Sequence, residues 1–182
     1  MLKKGNDGTL SKFRFFLFII AFICVKAYAV DDNEQPLDFS EFGVNYSQSQ
    51  EILDIVGDES KIIQSVPELQ ESGFLNPDIN QTELNMFPVS MTGTVLTLFS
   101  QNIIQQSFKN NPNQTNISVK IHLLSPDDYG NNKSHVISSF NFSRNQYNKV
   151  NWDNITADKF IKISKLNYSP WFIEKADEEA SQ

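Results

Sequence analysis

The sequence predicts a mainly β fold: an antiparallel, sandwich-like domain of about five strands, preceded by one amphipathic helix and a flexible N-terminal leader. Three observations support this prediction. Apolar and polar residues alternate strictly through residues 117–123, they alternate again through residues 136–143, and a run of turn-forming residues lies between the two segments. Alternation places the apolar side chains on one face of a strand. Two such strands around a polar loop indicate an antiparallel hairpin with one buried face.

The first 29 residues have the pattern of an export signal. A basic start is followed by an apolar run over residues 15–25, and Ala27 and Ala29 provide the small residues of a cleavage site. The apolar run is shorter than the roughly 20 residues that a membrane-spanning helix needs. We therefore expect cleavage between Ala29 and Val30, a periplasmic or secreted location, and no stable membrane insertion of the mature chain.

Cysteine content and charge restrict the predicted mature chain further. Cys24, the only cysteine, follows Ile23, whereas lipidation requires a small residue at that place. A mature chain without cysteine has no disulfide, no thiol nucleophile and no thiolate metal ligand. The first 29 residues carry five basic and one acidic side chain, so their removal changes the formal charge from −7 to −11. Such acidity disfavours nucleic acid and anionic lipid as partners.

Two segments precede the predicted β-rich domain. Residues 30–48 are polar and acidic, which indicates a flexible leader. Residues 49–65 place apolar side chains at helical spacing, and Pro67 is expected to end this helix. Because Gly57 weakens its middle, two shorter helices are an alternative, the second capped by Asp58 or Ser60. Residues 68–86 have the composition of a linker, which completes a segment of helix and linker over residues 49–86.

Residues 87–173 form the predicted β-rich domain. Residues 87–100 alternate and contain many β-branched side chains, which favours a strand, although the apolar spacing of residues 94–108 also fits a helix. The hairpin of residues 116–143 follows. Residues 158–168 are predicted to form the last strand. Residues 174–182 are an acidic tail that we expect to fray.

The sequence contains no recognisable catalytic or metal-binding motif. His122 and His135 are expected on the same polar face of the hairpin, and their spacing matches no metal site. The loop around Asp127 and Asp128 lacks the bidentate glutamate of a calcium loop. No serine-hydrolase motif or glycine-rich phosphate loop is present. We therefore expect no enzyme activity, no cofactor and no metal, although two carboxylates that only the fold brings together would escape this reasoning.

Five aromatic residues near the C-terminus form a candidate interaction surface. Large aromatic side chains are common at protein interfaces and on platforms that stack against sugars. The alternative is that they cover the core or an edge of the domain. The five residues are Tyr147, Trp152, Tyr168, Trp171 and Phe172.

Eight asparagines lie in Asn-x-Ser/Thr sequons, which are glycosylation sites in a eukaryotic secreted protein. A secreted glycoprotein or carbohydrate-binding module is therefore the alternative function. The lack of cysteine in the predicted mature chain favours a bacterial source, in which the sequons reflect polar composition. The eight are Asn45, Asn80, Asn113, Asn116, Asn132, Asn141, Asn154 and Asn167.

A run of about fifty residues resembles the small outer-membrane lipoproteins of type VI secretion systems in the order of its elements. It consists of a predicted strand at residues 95–99, an Asn-rich loop, a strand at residues 118–124, an acidic loop and the segment Ser139-Phe140-Asn141-Phe142. The resemblance implies a β-sandwich. We expect a non-enzymatic exported protein that acts through protein–protein contacts, as a periplasmic or secreted accessory of a bacterial envelope or secretion machine.

Overall fold

A computed structural model describes residues 38–75, 86, 88–127 and 129–181. In these residues, helices pack on one face of a five-strand sheet. The strands are β1 (Val44–Ser49), β2 (Ile52–Asp58), β3 (Asn116–Pro126), β4 (Asn132–Ser143) and β5 (Asn167–Tyr168). The α-helices are α1 (Glu59–Glu71), α2 (Pro88–Asn110), α3 (Arg144–Tyr147), α4 (Ala157–Ser164) and α5 (Pro170–Glu179). Two 3-10 turns, Ser40–Phe42 and Trp152–Asn154, complete the described elements.

The predicted sheet is confirmed, but it is mixed and accompanied by as many described α-helices as strands. The strand order is β1-β2-β3-β4-β5, with β2 and β3 parallel and the other neighbours antiparallel. A parallel pair requires a long crossover connection, and this crossover contains α1 and α2. The second sheet of a sandwich does not occur within the described ranges. The mainly β, antiparallel sandwich predicted from the sequence is therefore replaced by a helix layer on one mixed sheet.

The two faces of the sheet differ in what covers them. One face lies beneath the helices: α2 contacts β2 and β3, while α4 and α5 contact β4. Every second residue of β2 and β3 points into this layer. Among these residues, those exposed by at most 1% include Leu53, Ile55, Val119, Ile121 and Leu123. The residues between them point to the opposite face, which we call the open face.

Residues 52–58 form a strand, so the helix predicted over residues 49–65 is wrong in its first half. Leu53, Ile55 and Gly57 are buried with a period of two, which is the period of a strand. Gly57 lets α2 approach the strand closely, because a Cβ at this position would force the end of the Leu96 side chain to shift. The apolar spacing that resembles a helix therefore arises from a strand followed directly by a helix.

The helix itself begins at Glu59, as the two-helix alternative allows. The Asp58 side chain accepts a hydrogen bond from the Lys61 N–H, which confirms Asp58 as its cap. Pro67 does not end the helix, which continues to Glu71 with the proline ring exposed. Phe74 and Leu75 then pack into the core, whereas residues 76–85 of the predicted linker lie outside the described residues.

The predicted flexible leader is partly ordered. Residues 44–49 form β1, which pairs with β2 through a tight hairpin in which Gln50 takes the left-handed conformation, with φ of 52°. Phe39 packs edge-to-face on Phe99, with ring centroids 4.5 Å apart. The apolar residues at this end of the chain therefore join the core, which explains why the segment folds despite its polar composition. Residues 1–37, including the predicted cleavage site, lie outside the described residues.

Residues 88–110 form one long helix, so the strand predicted over residues 87–100 is wrong and the helical alternative is confirmed. Nearly every residue of α2 is buried. Its polar and apolar positions therefore follow neither the period of a helix nor that of a strand clearly. Thr92, Thr94 and Thr97 each donate a side-chain hydrogen bond to the carbonyl four residues earlier. This bonding satisfies the hydroxyls inside the helix layer, and the surrounding packing overrides the β propensity of these residues.

The predicted hairpin is confirmed as β3 and β4, with one irregularity. Ile121 pairs with Ser138 and His122 pairs with Val136, so Ile137 is an extra residue at a bulge. A bulge changes the face to which the following side chains point. His122 and His135 therefore lie on opposite faces of the sheet, and their predicted placement on one face is wrong.

The last forty residues are mainly helical, so the predicted final strand and frayed tail are wrong. Thr156 caps α4, and Phe160 and Ser164 are buried at helical spacing. Only the two residues of β5 remain of the predicted strand. Ser169 caps α5, whose first residue, Pro170, is well suited to the first turn of a helix. The acidic tail is therefore largely a helix docked on α2 and β4.

Candidate interaction surface

The open face of the sheet is the most distinctive surface of the described chain, because it combines apolar and charged side chains on a rigid support. Strand geometry fixes its members, since alternate residues of β2 and β3 must point away from the helices. We define the open face by nine residues of β2, β3 and β4: Ile52, Asp54, Val56, Lys120, His122, Leu124, Val136, Ser139 and Asn141.

Charged side chains lie at the centre of the open face. Asp54 and Lys120 are direct neighbours across β2 and β3. The Nε2 atom of His122 lies 3.7 Å from the Asp54 carboxylate, and the two side chains are 24% and 43% exposed. Exposed ion pairs of this kind contribute at most about 1 kcal/mol to stability. These groups therefore contribute little to the stability of the fold.

Apolar side chains surround this charged centre. Ile52 is 50% exposed and Val136 is 43% exposed, while Val56 and Leu124 are half-buried. Isolated exposed apolar residues are ordinary on protein surfaces. Here they share one face of one sheet with hydrogen-bonding groups, as in protein interfaces that mix apolar area with polar contacts. The arrangement suits contact with a folded partner.

Sequence reasoning did not find this surface because it assigned residues 52–56 to a helix. The pattern of Leu53, Ile55 and Gly57 contains the signal, since these residues have a period of two and continue directly into the cap at Asp58. A short strand followed by a helix gives an apolar spacing that a longer amphipathic helix also gives.

Two of the five predicted aromatic residues cover the C-terminal end of α2. Tyr147 and Trp152 lie 5.2 Å apart, and the Trp152 indole N–H donates to the Tyr147 carbonyl. Tyr147 also packs on Phe108, the last aromatic residue of α2, at 5.1 Å. This pair is half-buried and closes one end of the helix layer.

Arg144 fixes the same end of α2 by electrostatics. Its guanidinium donates hydrogen bonds to the carbonyls of Phe108, Asn111 and Gln114. It also lies 4.6 Å above the centre of the Phe108 ring. A permanent cation among carbonyls at the C-terminal end of a helix is favourable with respect to the helix dipole.

The other three predicted aromatic residues lie toward the opposite end of α2. Phe172 is buried against Gly93 and stacks on Tyr168 with ring centroids 4.8 Å apart. Trp171 stacks on His135 at 3.8 Å, with their planes nearly parallel. Burial first, and then the charges of two lysines, lower the pKa of His135. The five aromatic residues therefore form two separate clusters, in which Tyr147 and Phe172 contact α2, and no single surface contains them all.

Metal ligation finds no support in the described ranges. Nowhere in them do three or more His, Cys, Asp or Glu side chains come together as a metal site. Asp127 accepts hydrogen bonds from the backbone N–H groups of Asn131 and Tyr129. These bonds, that from Asn131 foremost, lower the pKa of Asp127. The loop is thus built as a hydrogen-bonded turn, while Asp128 lies outside the described residues.

One cavity of about 180 Å³ opens beside α1 and α2. This volume is small for a site that encloses a ligand of ordinary size. Its walls are mainly aromatic and aliphatic, and its polar groups are a carboxylate, a hydroxyl and an amide. The lining residues are Asp38, Phe39, Phe42, Leu69, Ser72, Phe74, Phe99 and Asn102.

The sequon asparagines that the structure describes are all exposed. Asn141 belongs to the open face, where its side chain accepts a hydrogen bond from the Ser118 hydroxyl. Asn80 lies outside the described residues. The seven exposed sequon asparagines are Asn45, Asn113, Asn116, Asn132, Asn141, Asn154 and Asn167.

No protein-family model matches the chain, and neither a curated protein nor a solved structure matches it. The comparisons therefore assign no family, and the function has to be argued from the chain itself. Among the helices of the described residues, none has both the length and the apolar character needed to cross a membrane.

Proposed function

We propose that the protein is an exported, non-enzymatic protein that binds other proteins through the open face of its sheet. Its place would be the periplasm or the exterior of a bacterial cell, as an accessory of an envelope or secretion machine. The export signal predicted at residues 1–29 supports the location, and the open face supports the mode of action.

The observation that carries the proposal is the exposure of Ile52 and Val136 beside the charged centre of the open face. Both are β-branched residues, on β2 and β4, the two strands that flank β3, and both are held by backbone pairing, so their contact surface is preorganised. Preorganised side chains lose little conformational entropy on binding.

The charge of the chain specifies the chemistry of the partner. The formal charge is −7 before cleavage of the predicted signal and −11 after it. An acidic protein attracts a cationic partner at long range, and such attraction weakens as salt is added. We therefore commit to a folded partner of net positive charge that places apolar side chains against Ile52 and Val136. Lys120 limits the positive charge that this partner can place directly over the centre.

Photo-crosslinking in the native host tests the proposal. A benzoylphenylalanine residue replaces Val136 on the open face, and in a second strain it replaces Ile173, which is 36% exposed on α5. The proposal predicts a discrete adduct with a basic protein from position 136 only, and direct binding of the purified pair that weakens with salt. Equal adducts from both positions, or an adduct with a second copy of this chain, would contradict it.

The alternative function is a secreted glycoprotein or carbohydrate-binding module. The exposure of all seven described sequon asparagines favours it, because a glycosylation site must be accessible. The intact mass of the protein from its native host decides between the two. A mass that matches residues 30–182 supports the first proposal, and masses that are heavier by sugar increments support the alternative.

A further inference from the structure

The N-terminal ends of α1 and α2 lie near the C-terminal end of α5, and the C-terminal helix supplies the cap of α2. The Glu179 carboxylate accepts hydrogen bonds from the backbone N–H groups of Val89, at 2.7 Å, and Ser90, at 3.1 Å. It also accepts one from the Ser90 hydroxyl at 2.7 Å. These three hydrogen bonds hold the end of α5 on the first turn of α2, where the backbone N–H groups have no partner within the helix.

A second carboxyl group is buried beside this cap. Glu59, the first residue of α1, is only 8% exposed. Its Oε2 atom is buried and has no hydrogen-bond partner within the described part of the chain. The charged groups that act on it are Glu179 from α5 and Asp58 at the end of β2, and both are negative. No basic side chain in the described residues offsets these two negative charges at Glu59.

The balance of these effects favours a neutral Glu59. Burial raises the pKa of Glu59 most, a hydrogen bond with Ser125 lowers it in part, and the charges of Glu179 and Asp58 raise it again. A buried carboxylate without a full set of partners is costly, and a like charge beside it adds to the cost.

We propose that Glu59 and Glu179 form a proton-operated latch that holds α5 on the N-terminal end of α2. While Glu59 is neutral, Glu179 stays docked on Val89 and Ser90. When Glu59 ionises, its carboxylate repels that of Glu179, and the release of Glu179 relieves this repulsion. Glu179 is the residue that moves because it lies at the end of its helix, so only its own carboxylate has to enter solvent. The latch thus closes below the pKa of Glu59 and opens above it, whichever partner binds the open face.

Hydrogen exchange of the full chain as a function of pH tests the latch. The readout is the protection factor, corrected for intrinsic exchange, of the amides of α5 and of the first turn of α2. The wild type is expected to lose protection there as the pH rises through the pKa of Glu59, by up to about tenfold for each unit between the folded and undocked pKa values. Glu59→Gln should abolish this pH dependence and stay protected throughout.

Two controls separate the latch from a general pH effect. Glu178→Gln changes an exposed carboxylate on the same helix that pairs with Lys175, and it should leave the profile unchanged. In the wild type labelled with 13C at glutamate carboxyl groups, the titration midpoint of Glu59 should fall when Glu179 is replaced by glutamine. The proposal is overturned if the α5 profile is the same in the wild type and in Glu59→Gln. Should that variant not fold, an unchanged Glu59 midpoint in Glu179→Gln overturns it equally.

Discussion

The two faces of the sheet have opposite compositions although they belong to the same strands. Beneath the helices, Ile121 and Ile137 are fully buried, while their neighbours in sequence, His122 and Val136, lie on the open face. The covered face determines whether the chain folds, because the buried apolar area is concentrated there. The open face contributes little to stability and is free to carry function. Neighbouring residues of one strand can therefore be used to test fold and function separately.

The largest loss of stability is expected for Phe99→Ala on the covered side. The Phe99 ring lies 4.5 Å from Phe39 and 4.6 Å from Phe74, and it joins the N-terminal segment to α2. Removal of a buried phenylalanine ring costs about 3–5 kcal/mol. Urea unfolding followed by circular dichroism measures the change. A cost below about 1 kcal/mol would mean that the N-terminal segment is not part of the core.

A matched pair on β4 compares the two faces directly. Ile137→Ala removes a fully buried side chain, for which we expect a cost of about 2–4 kcal/mol, whereas Val136→Ala removes one that is 43% exposed and should cost less than about 1 kcal/mol. Denaturant midpoints of both variants, measured side by side, check the difference. Equal midpoints would show that the bulge does not place these neighbours on different faces.

The C-terminal end of α2 should be sensitive to Arg144→Ala, which leaves the carbonyls of Phe108, Asn111 and Gln114 without their charged donor. Hydrogen bonds to a charged group contribute about 1.5–3 kcal/mol, and we expect a loss in this range. The exposed Lys149 provides the control, because Lys149→Ala removes a charge of the same sign nearby. Similar unfolding midpoints for the two variants would contradict the role given to Arg144.

A smaller effect, of opposite sign, is expected for Glu59→Gln. The pKa of Glu59 is raised in the folded protein, chiefly by burial. Its contribution to stability is therefore complete below the unfolded pKa and is lost as the pH rises through the folded pKa. Glutamine does not ionise, so the variant should match the wild type below the unfolded pKa of Glu59 and exceed it by about 1 kcal/mol above the folded pKa. A thermal unfolding series over this range checks both the sign and the pH window.

The hairpin and one helix cap could be predicted from the sequence, because both depend on residues that are close together in the chain. Alternation in β3 and β4 follows from one buried face, and Asp58 caps the helix that follows it. The rest depends on tertiary context. Thr92, Thr94 and Thr97 are β-branched residues, which are common in strands. In α2 their hydroxyls donate hydrogen bonds within a helix that is buried on nearly all sides.

The candidate surface could not be predicted because it depends on which strands become neighbours. Asp54 and His122 are separated by 68 positions, and only the parallel pairing of β2 with β3 brings them to 3.7 Å. In the same way, the hydrogen bonds of Glu179 with Val89 and Ser90 join residues about 90 positions apart. Spacing along a sequence carries no signal for such pairs. The five aromatic residues that the sequence did suggest lie instead in two separate clusters.

The most direct test of the central claim is a titration of the purified partner with the wild type and with the double variant Ile52→Ser, Val136→Ser. Both changes lie on the open face, so the free energy of unfolding should change by less than about 1 kcal/mol. The affinity for the partner should fall at least tenfold, because both changes remove apolar area that the proposed interface buries. A variant that unfolds like the wild type and binds with the same affinity would contradict the claim that the open face carries the function.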